Sequence, residues 1–353
     1  MSENSAAEVR PHTPYARVAA IAVGLTAVLA VILLAFSWPA FTSEAKDVQL
    51  AIAGPDEPVA AVQAQLESTG DVFEITAVDD RDAAVTGIEE RDYVGAIVLG
   101  ESPELLTASA AGTAGAAVSQ LATPLQAALT QQAAAAAQAA GVEAPAVQLT
   151  VTDVVPYSDD DPNGSLFASA FFPILFGGMI GGIALSTIIV GSVRRVVGAL
   201  VYSAIGGIVL TSVLEGWFGS IQGGFWTDSL AFTLSILAIA LPIIGFVALI
   251  GRAGMAVGPV VMMLFANPIS GAQIPSSFLP GAWGTVGQWF PPGASATLLR
   301  DLSYFPNADA SFPWLVLTGW AVGGTVLALI GHFRTSVSAD EKKAAPAVEA
   351  VAA

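Results

Sequence analysis

The chain has no cysteine, only two histidines and little charge. Of its 353 residues 12% are charged and 54% are hydrophobic, with a mean hydropathy of +0.69. Without cysteine there are no disulfides, thiolate metal sites or cysteine nucleophiles. His12 and His332 lie near opposite ends of the chain, which argues against a histidine metal cluster or a haem pair. Bases are scarce too: 12 Lys+Arg stand against 29 Asp+Glu, a net charge of −17. That sign argues against nucleic acid as a partner. Soluble domains carry about 25% charged residues, so a soluble globular enzyme is not the default reading.

The acidity is confined to one block. Residues 40–165 hold 20 acids and three bases (Lys46, Arg81, Arg91), which is the whole −17. Elsewhere nine acids balance nine bases. The chain therefore joins an acidic water-soluble block to a neutral hydrophobic body.

A membrane helix needs about 20 mostly apolar residues to cross roughly 30 Å of hydrocarbon. Six segments qualify or come close: Val18–Trp38, Phe167–Val193, Val196–Leu214, Leu230–Ile250, the short Met255–Ala266, and Phe312–Gly331. A cleaved signal peptide is the alternative for the first, with Ser43-Glu44-Ala45 as the cleavage site. Its apolar stretch exceeds the roughly 7–15 residues usual there. Basic residues of short loops stay on the cytoplasmic side. Arg10, Arg17, Arg194, Arg195, Arg252, Arg334, Lys342 and Lys343 then place both termini inside and residues 40–165 outside. The expected organisation is a cytoplasmic tail (1–17), a first span (18–38), the outer domain (40–165), a five-segment membrane domain (167–331) and a cytoplasmic tail (332–353). The fold class is a polytopic α-helical membrane protein of about six spans with an inserted extracytoplasmic α/β domain.

Within the outer block, Val48–Ala53 and Val72–Val78 alternate as strands do. Tyr93–Leu99 is the continuous apolar run of a strand covered on both faces. Pro58–Leu66 and Asp82–Glu90 carry helical spacing between them. The order β-α-β-α-β predicts a small parallel or mixed sheet. From Pro103 to Ala140 the composition is helical, richest at Gln131–Ala140, with a break expected at Thr123-Pro124. Its Ala-rich face is read as a helical hairpin solvated over the sheet, with a stalk or dimer contact as the alternative. Val147–Val155 is a last strand. Asp159–Gly164 matches the first half of a calcium loop, but the twelfth position is Ala170 where a Glu is needed. It is read as a polar turn outside the second span.

In the membrane body, small residues mark helix contacts. Gly177, Gly178, Gly181 and Gly182 form two overlapping G-x-x-x-G pairs, and Gly319 and Gly323 repeat the spacing in the last span. Pro173 and Pro242 are expected to kink their spans. Ionisable residues within spans are nearly absent, so no buried acid–base relay is expected. Residues 267–306 are too polar to span and too apolar for a free loop. Pro268, Pro275, Pro280, Pro291 and Pro292 break this stretch, and Trp283, Trp289, Phe290, Tyr304 and Phe305 supply headgroup-level aromatics. An outer re-entrant or interfacial helix pair fits it, with Arg300 in the same connection.

This order of elements resembles the type-two ABC exporter permease superfamily, and within it the YhgE/Pip-like (phage-infection-protein-like) bacterial membrane proteins. The likeness rests on Asp161–Leu166 leading into the glycine-rich span and on Gly95–Val98. It rests also on Asn267-Pro268, Gly271, Ile274-Pro275, Leu279–Gly281, Pro291–Gly293 and Leu299-Arg300. The resemblance implies a bacterial cell-membrane permease half that pairs as a homodimer or heterodimer and works with a separate cytoplasmic ATPase. No G-x-x-x-x-G-K-[ST] loop is present, so any ATP hydrolysis belongs to a partner. One departure stands out: the connection near Gly191–Val196, where a docking helix would lie, offers little beyond Arg194 and Arg195. The lipid bilayer is a further expected partner, and no cofactor or metal is expected. Export of an amphipathic or hydrophobic substrate is the leading expectation. A non-transporting surface scaffold or receptor is the competing one. With no His, no Cys and no nucleophile–base pair in the outer domain, an enzyme is not expected.

Overall fold

The computed structural model describes residues 14–351 apart from Thr69, Asp71 and Ala144, and side chains as far as Arg334 apart from that of Glu67. His12 and Arg10 lie outside the described residues, as do the side chains of Lys342 and Lys343.

The soluble block folds around strands β1 (Val48–Ala53), β2 (Phe73–Ala77), β3 (Gly95–Val98), β4 (Glu104–Thr107) and β5 (Thr150–Asp153). Their order is β2-β1-β3-β4-β5, with β3–β4 antiparallel and the other pairs parallel. β1 is buried at five of its six positions and is covered on both faces, as buried parallel strands are. Helices α2 (Asp56–Glu67), α4 (Thr113–Ser119) and α5 (Ala122–Ala140) cover the face carrying Leu50, Ile52, Ile97 and Leu105. α3 (Arg81–Glu89) lies against the opposite face, which carries Ala51, Ala96 and Leu106. That second face is continuous with the core of the membrane body through Phe167, Tyr304 and Phe305.

Two local expectations are corrected. Glu104–Thr107 is a strand inside the stretch expected to be helical, because Arg81 and Thr152 bond Glu104 and hold it in the sheet. The helical break falls before α5 at Gln120-Leu121, and Pro124 sits in its first turn, where no donor is needed. Leu125 and Ala137 are the buried positions of α5, and Gln126 bonds the backbone at Val147 and Leu149. The Ala-rich helix therefore lies along the sheet domain.

Among the described residues five helices are long and apolar enough to cross a membrane, and the protein is a helical membrane protein with an α/β part. The first is α1 (Tyr15–Thr42), whose one buried residue is Pro39. After the short α6 (Ser165–Ser169) come α7 (Phe171–Ile188), α8 (Ser192–Thr211), α9 (Phe225–Ile250) and α13 (Ser311–Val351). Pro173 lies in the first turn of α7, where it interrupts no helical hydrogen bond, so the expected kink has no cause there. Gly178 and Gly182 of α7 lie against Ile239 and Ala240 of α9. Gly324 and Gly331 of α13 lie against Leu241 and Ala248 of α9. In both pairs residue numbers rise together, so α7, α9 and α13 are parallel. Tyr202 and Gly198 of α8 meet Gly181 and Leu185 of α7, which makes α8 antiparallel.

The expected fifth segment is a return arm. Gly251 adopts φ +67°, a left-handed conformation that favours glycine, and the chain reverses there. Gly254 of α10 (Gly254–Gly258) then touches the Phe246 backbone, and Gly258 touches Ile243. One continuous helix would keep residues 243 and 258 about 20 Å apart. A π-helical turn, Pro259–Ala266, completes the arm.

Candidate functional site

The site lies where the sheet domain meets the stretch 267–306. Pro275 caps a 3-10 turn at Ser276–Phe278, and α11 (Trp283–Gly287) follows. Pro291 and Pro292 open α12 (Pro291–Tyr304), where a fixed φ suits the first turn. Pro268 and Pro280 face α1. The expected helix pair is thus one short turn of helix and one 14-residue, mostly buried helix. Gln288 fastens them, donating to the Ser270 carbonyl and accepting from the Thr297 hydroxyl at 2.6 Å.

α12 is tied to the sheet domain by charge. Arg91 ends α3 and pairs with Asp301, with its guanidinium 5.5 Å from the centre of the Phe305 ring. Asn307 donates to Glu89 at 3.1 Å. Arg91 has φ +69°. The N–H of Arg91 bonds the Ile88 carbonyl and that of Asp92 bonds the Gly87 carbonyl. These are the bonds of a Schellman cap, with arginine where glycine is usual. A non-glycine residue there stores strain, and its side chain makes the interdomain ion pair.

Beside this pair, Arg300 stacks over Phe167 at 5.5 Å, and its Nε has no partner. Burial, reinforced by Arg91, pushes Arg300 down to about 10. Burial raises Asp301, and the Arg91 charge and hydrogen bond oppose it. Tyr157 and Tyr304 meet edge to face at 5.3 Å, and burial raises both phenols. The Tyr304 hydroxyl donates to the Ser220 carbonyl, and Asp161 accepts from the buried Phe167 N–H at 2.9 Å. Arg91, the adjacent Arg300 and Asp301, and Asp161 come from three separate segments, and no local spacing in the sequence brings those segments together.

Two cavities lie beside this junction. A polar cleft of about 700 Å³ lies between Lys46, Asp47, Glu90, Arg91 and Asp92 of the sheet domain and Thr285, Thr297, Asp301 and Asp309 below. An apolar groove of about 630 Å³ runs along α13 past Pro242, Phe246, Leu315, Gly319 and Gly323. Trp289 lines both. Its ring packs edge-on against Phe312 at 5.0 Å, and its carbonyl accepts from Trp320 Nε1 at 2.8 Å.

The expected packing glycines divide into two sets. Gly178 and Gly182 lie at the α7–α9 contact, and Gly177 and Gly181 lie against Tyr202 of α8. Gly319 and Gly323 meet no neighbour within 4 Å and form the floor of the groove, while Gly324 makes the α13–α9 contact. Arg194 is exposed in the first turn of α8, and Arg195 folds back to the Ile189 carbonyl at 2.8 Å. Only Ile189–Gly191 join α7 to α8. Among the described residues no group of three His, Cys, Asp or Glu could hold a metal. Neither the protein-family models nor the curated proteins give a match to this chain.

Proposed function

We propose that this protein is a permease-like subunit of an ABC-type exporter that handles an amphipathic substrate. The observation that carries the proposal is that Trp289 lines both a polar cleft and an apolar groove. An amphiphile fits that shape with its headgroup against the sheet domain and its tail along α13. With Asp301 paired to Arg91, the cleft keeps Asp47, Glu90, Asp92 and Asp309 against Lys46. That balance favours a cationic or zwitterionic headgroup.

The topology of this reading has both termini cytoplasmic, residues 40–165 outside and six crossing segments. Its support is that α9 and α13 run parallel, so a return is needed between them, and the arm 254–266 supplies it. Hydrolysis would come from a separate ATPase, docked where Arg194, Arg252 and Arg334 gather by topology at the end of the bundle remote from the sheet.

One observation favours a second reading, a non-transporting scaffold: the α7–α8 connection is three residues long and offers an ATPase little surface. Recovery of the tagged protein from its native membrane in mild detergent separates the two. Co-purification of an ATPase with a G-x-x-x-x-G-K-[ST] loop supports export. Recovery of surface partners alone supports the scaffold.

A further inference from the structure

A polar seam runs between α8 and α9, away from the cleft. Gly207 lies against Ser229 and Thr233. Extending this antiparallel register by one turn each way sets Ser203 level with Ser235, and Thr211 level with Asp228. All four are 0% exposed, and none of their side-chain oxygens has a hydrogen-bond partner. Asp228 leaves both carboxylate oxygens unpaired. Its carboxylate abuts Gly223. The charged group that acts on it is a second acid, Glu215, whose Oε2 is also buried and unpartnered. No basic side chain acts on Asp228 from α8, from α9 or from the loop between them.

A buried carboxylate without donor or counter-charge is costly and calls for a bound water, ion or proton. We infer that Asp228 and Glu215 bind a hard metal cation at the mouth of this seam, with Thr211 and Ser229 as further oxygen donors. The donors are all oxygen, which suits calcium or sodium and excludes soft-metal selectivity. Glu215 is partly exposed and forms the entrance, and Asp228 is the inner ligand. The hydroxyls of Ser203 and Ser235 carry the seam further into the bundle.

The test uses the purified full-length chain in detergent, with choline as the only other cation. Calcium and sodium are titrated separately at pH 7.5 and again at pH 5.5, and thermal unfolding and the fluorescence of the nearby Trp217 and Trp226 are followed. The proposal expects one of the two ions to raise Tm saturably. At a hundred times its half-saturating concentration, the folded-to-unfolded ratio should rise about a hundredfold. Asp228→Asn should raise that half-saturating concentration at least about tenfold, a loss of about 1.4 kcal/mol. Glu215→Gln should do the same, and it decides the matter should Asp228→Asn fail to fold. Thr211→Val should weaken binding less. No response to either ion overturns the proposal, as does a response unchanged in Glu215→Gln. A Tm that follows pH alone also overturns it, since a shared proton then satisfies the pair.

Discussion

Replacement of Arg91 separates two effects that the structure places on one residue. Its guanidinium holds Asp301, which is 5% exposed, while Arg91 itself is 30% exposed. Breaking a buried ion pair costs about 3–5 kcal/mol, because the surviving charge is stranded. The partial exposure of Arg91 places this pair at the lower end, about 3 kcal/mol. Its backbone sits at φ +69°, which costs a non-glycine residue about 1 kcal/mol relative to glycine. Arg91→Ala should therefore destabilise by about 3 kcal/mol and Arg91→Gly by about 2 kcal/mol. The smaller residue should be the milder change. Asp301→Asn should remove most of the difference between Arg91 and its variants, since no carboxylate remains at position 301 to be stranded. The assay is denaturant unfolding of the full chain in detergent, with hydrogen exchange of residues 301–307 as a local readout. If Arg91→Ala costs less than about 0.5 kcal/mol, the range of ordinary surface substitutions, the junction is not held as described. If Arg91→Gly is the worse variant, the backbone argument fails.

Arg300→Met should cost less than Arg91→Met by thermal unfolding, because burial already disfavours the Arg300 charge and its Nε has no partner to lose. Gly178→Leu should abolish the folded, monodisperse protein in size-exclusion chromatography, because an added Cβ would stand 2.7 Å from Ile239 Cβ. Gly319→Leu should leave that profile intact while filling the groove. Glu104 is held below the ordinary carboxylate range, first by its hydrogen bond from Arg81. A lowered folded value contributes stability above the unfolded value of 4.5, and this is lost as pH falls through the folded one. Acid unfolding followed by circular dichroism should accordingly lose its Glu104 component in Glu104→Gln.

The sequence exposed what depends on local period and missed what depends on distant approach. Strand β1 and helix α3 fall within a residue of their expected bounds, since alternation and the Asp80 cap, which accepts from Ala83 N–H at 2.9 Å, are local signals. β4 was hidden because its four residues become a strand through Arg81, Thr152 and the edge of β3. The packing role of Gly324 could not be told from that of Gly323, since adjacent glycines look alike and only the crossing with α9 separates them. Residues 267–306 were marked as unusual by their prolines, but the charged junction was not legible. Its members lie as far apart as Arg91 and Asp301 and meet only when the sheet docks. The unpaired carboxylate of Asp228 was not legible either, because its burial depends on Gly223 and the facing turn of α8.

The central claim is that one amphiphile spans the cleft and the groove at Trp289. Photolabelling of the protein in lipid nanodiscs with a long-chain alkylammonium probe, carrying its photoreactive group at mid-chain, tests it directly. The account predicts adducts on the peptides holding Trp289 and residues 312–320, lost when Gly319→Leu fills the groove and reduced when Asp309→Asn weakens the headgroup contact. Adducts spread evenly over the lipid-facing helices and unchanged in both variants would contradict it.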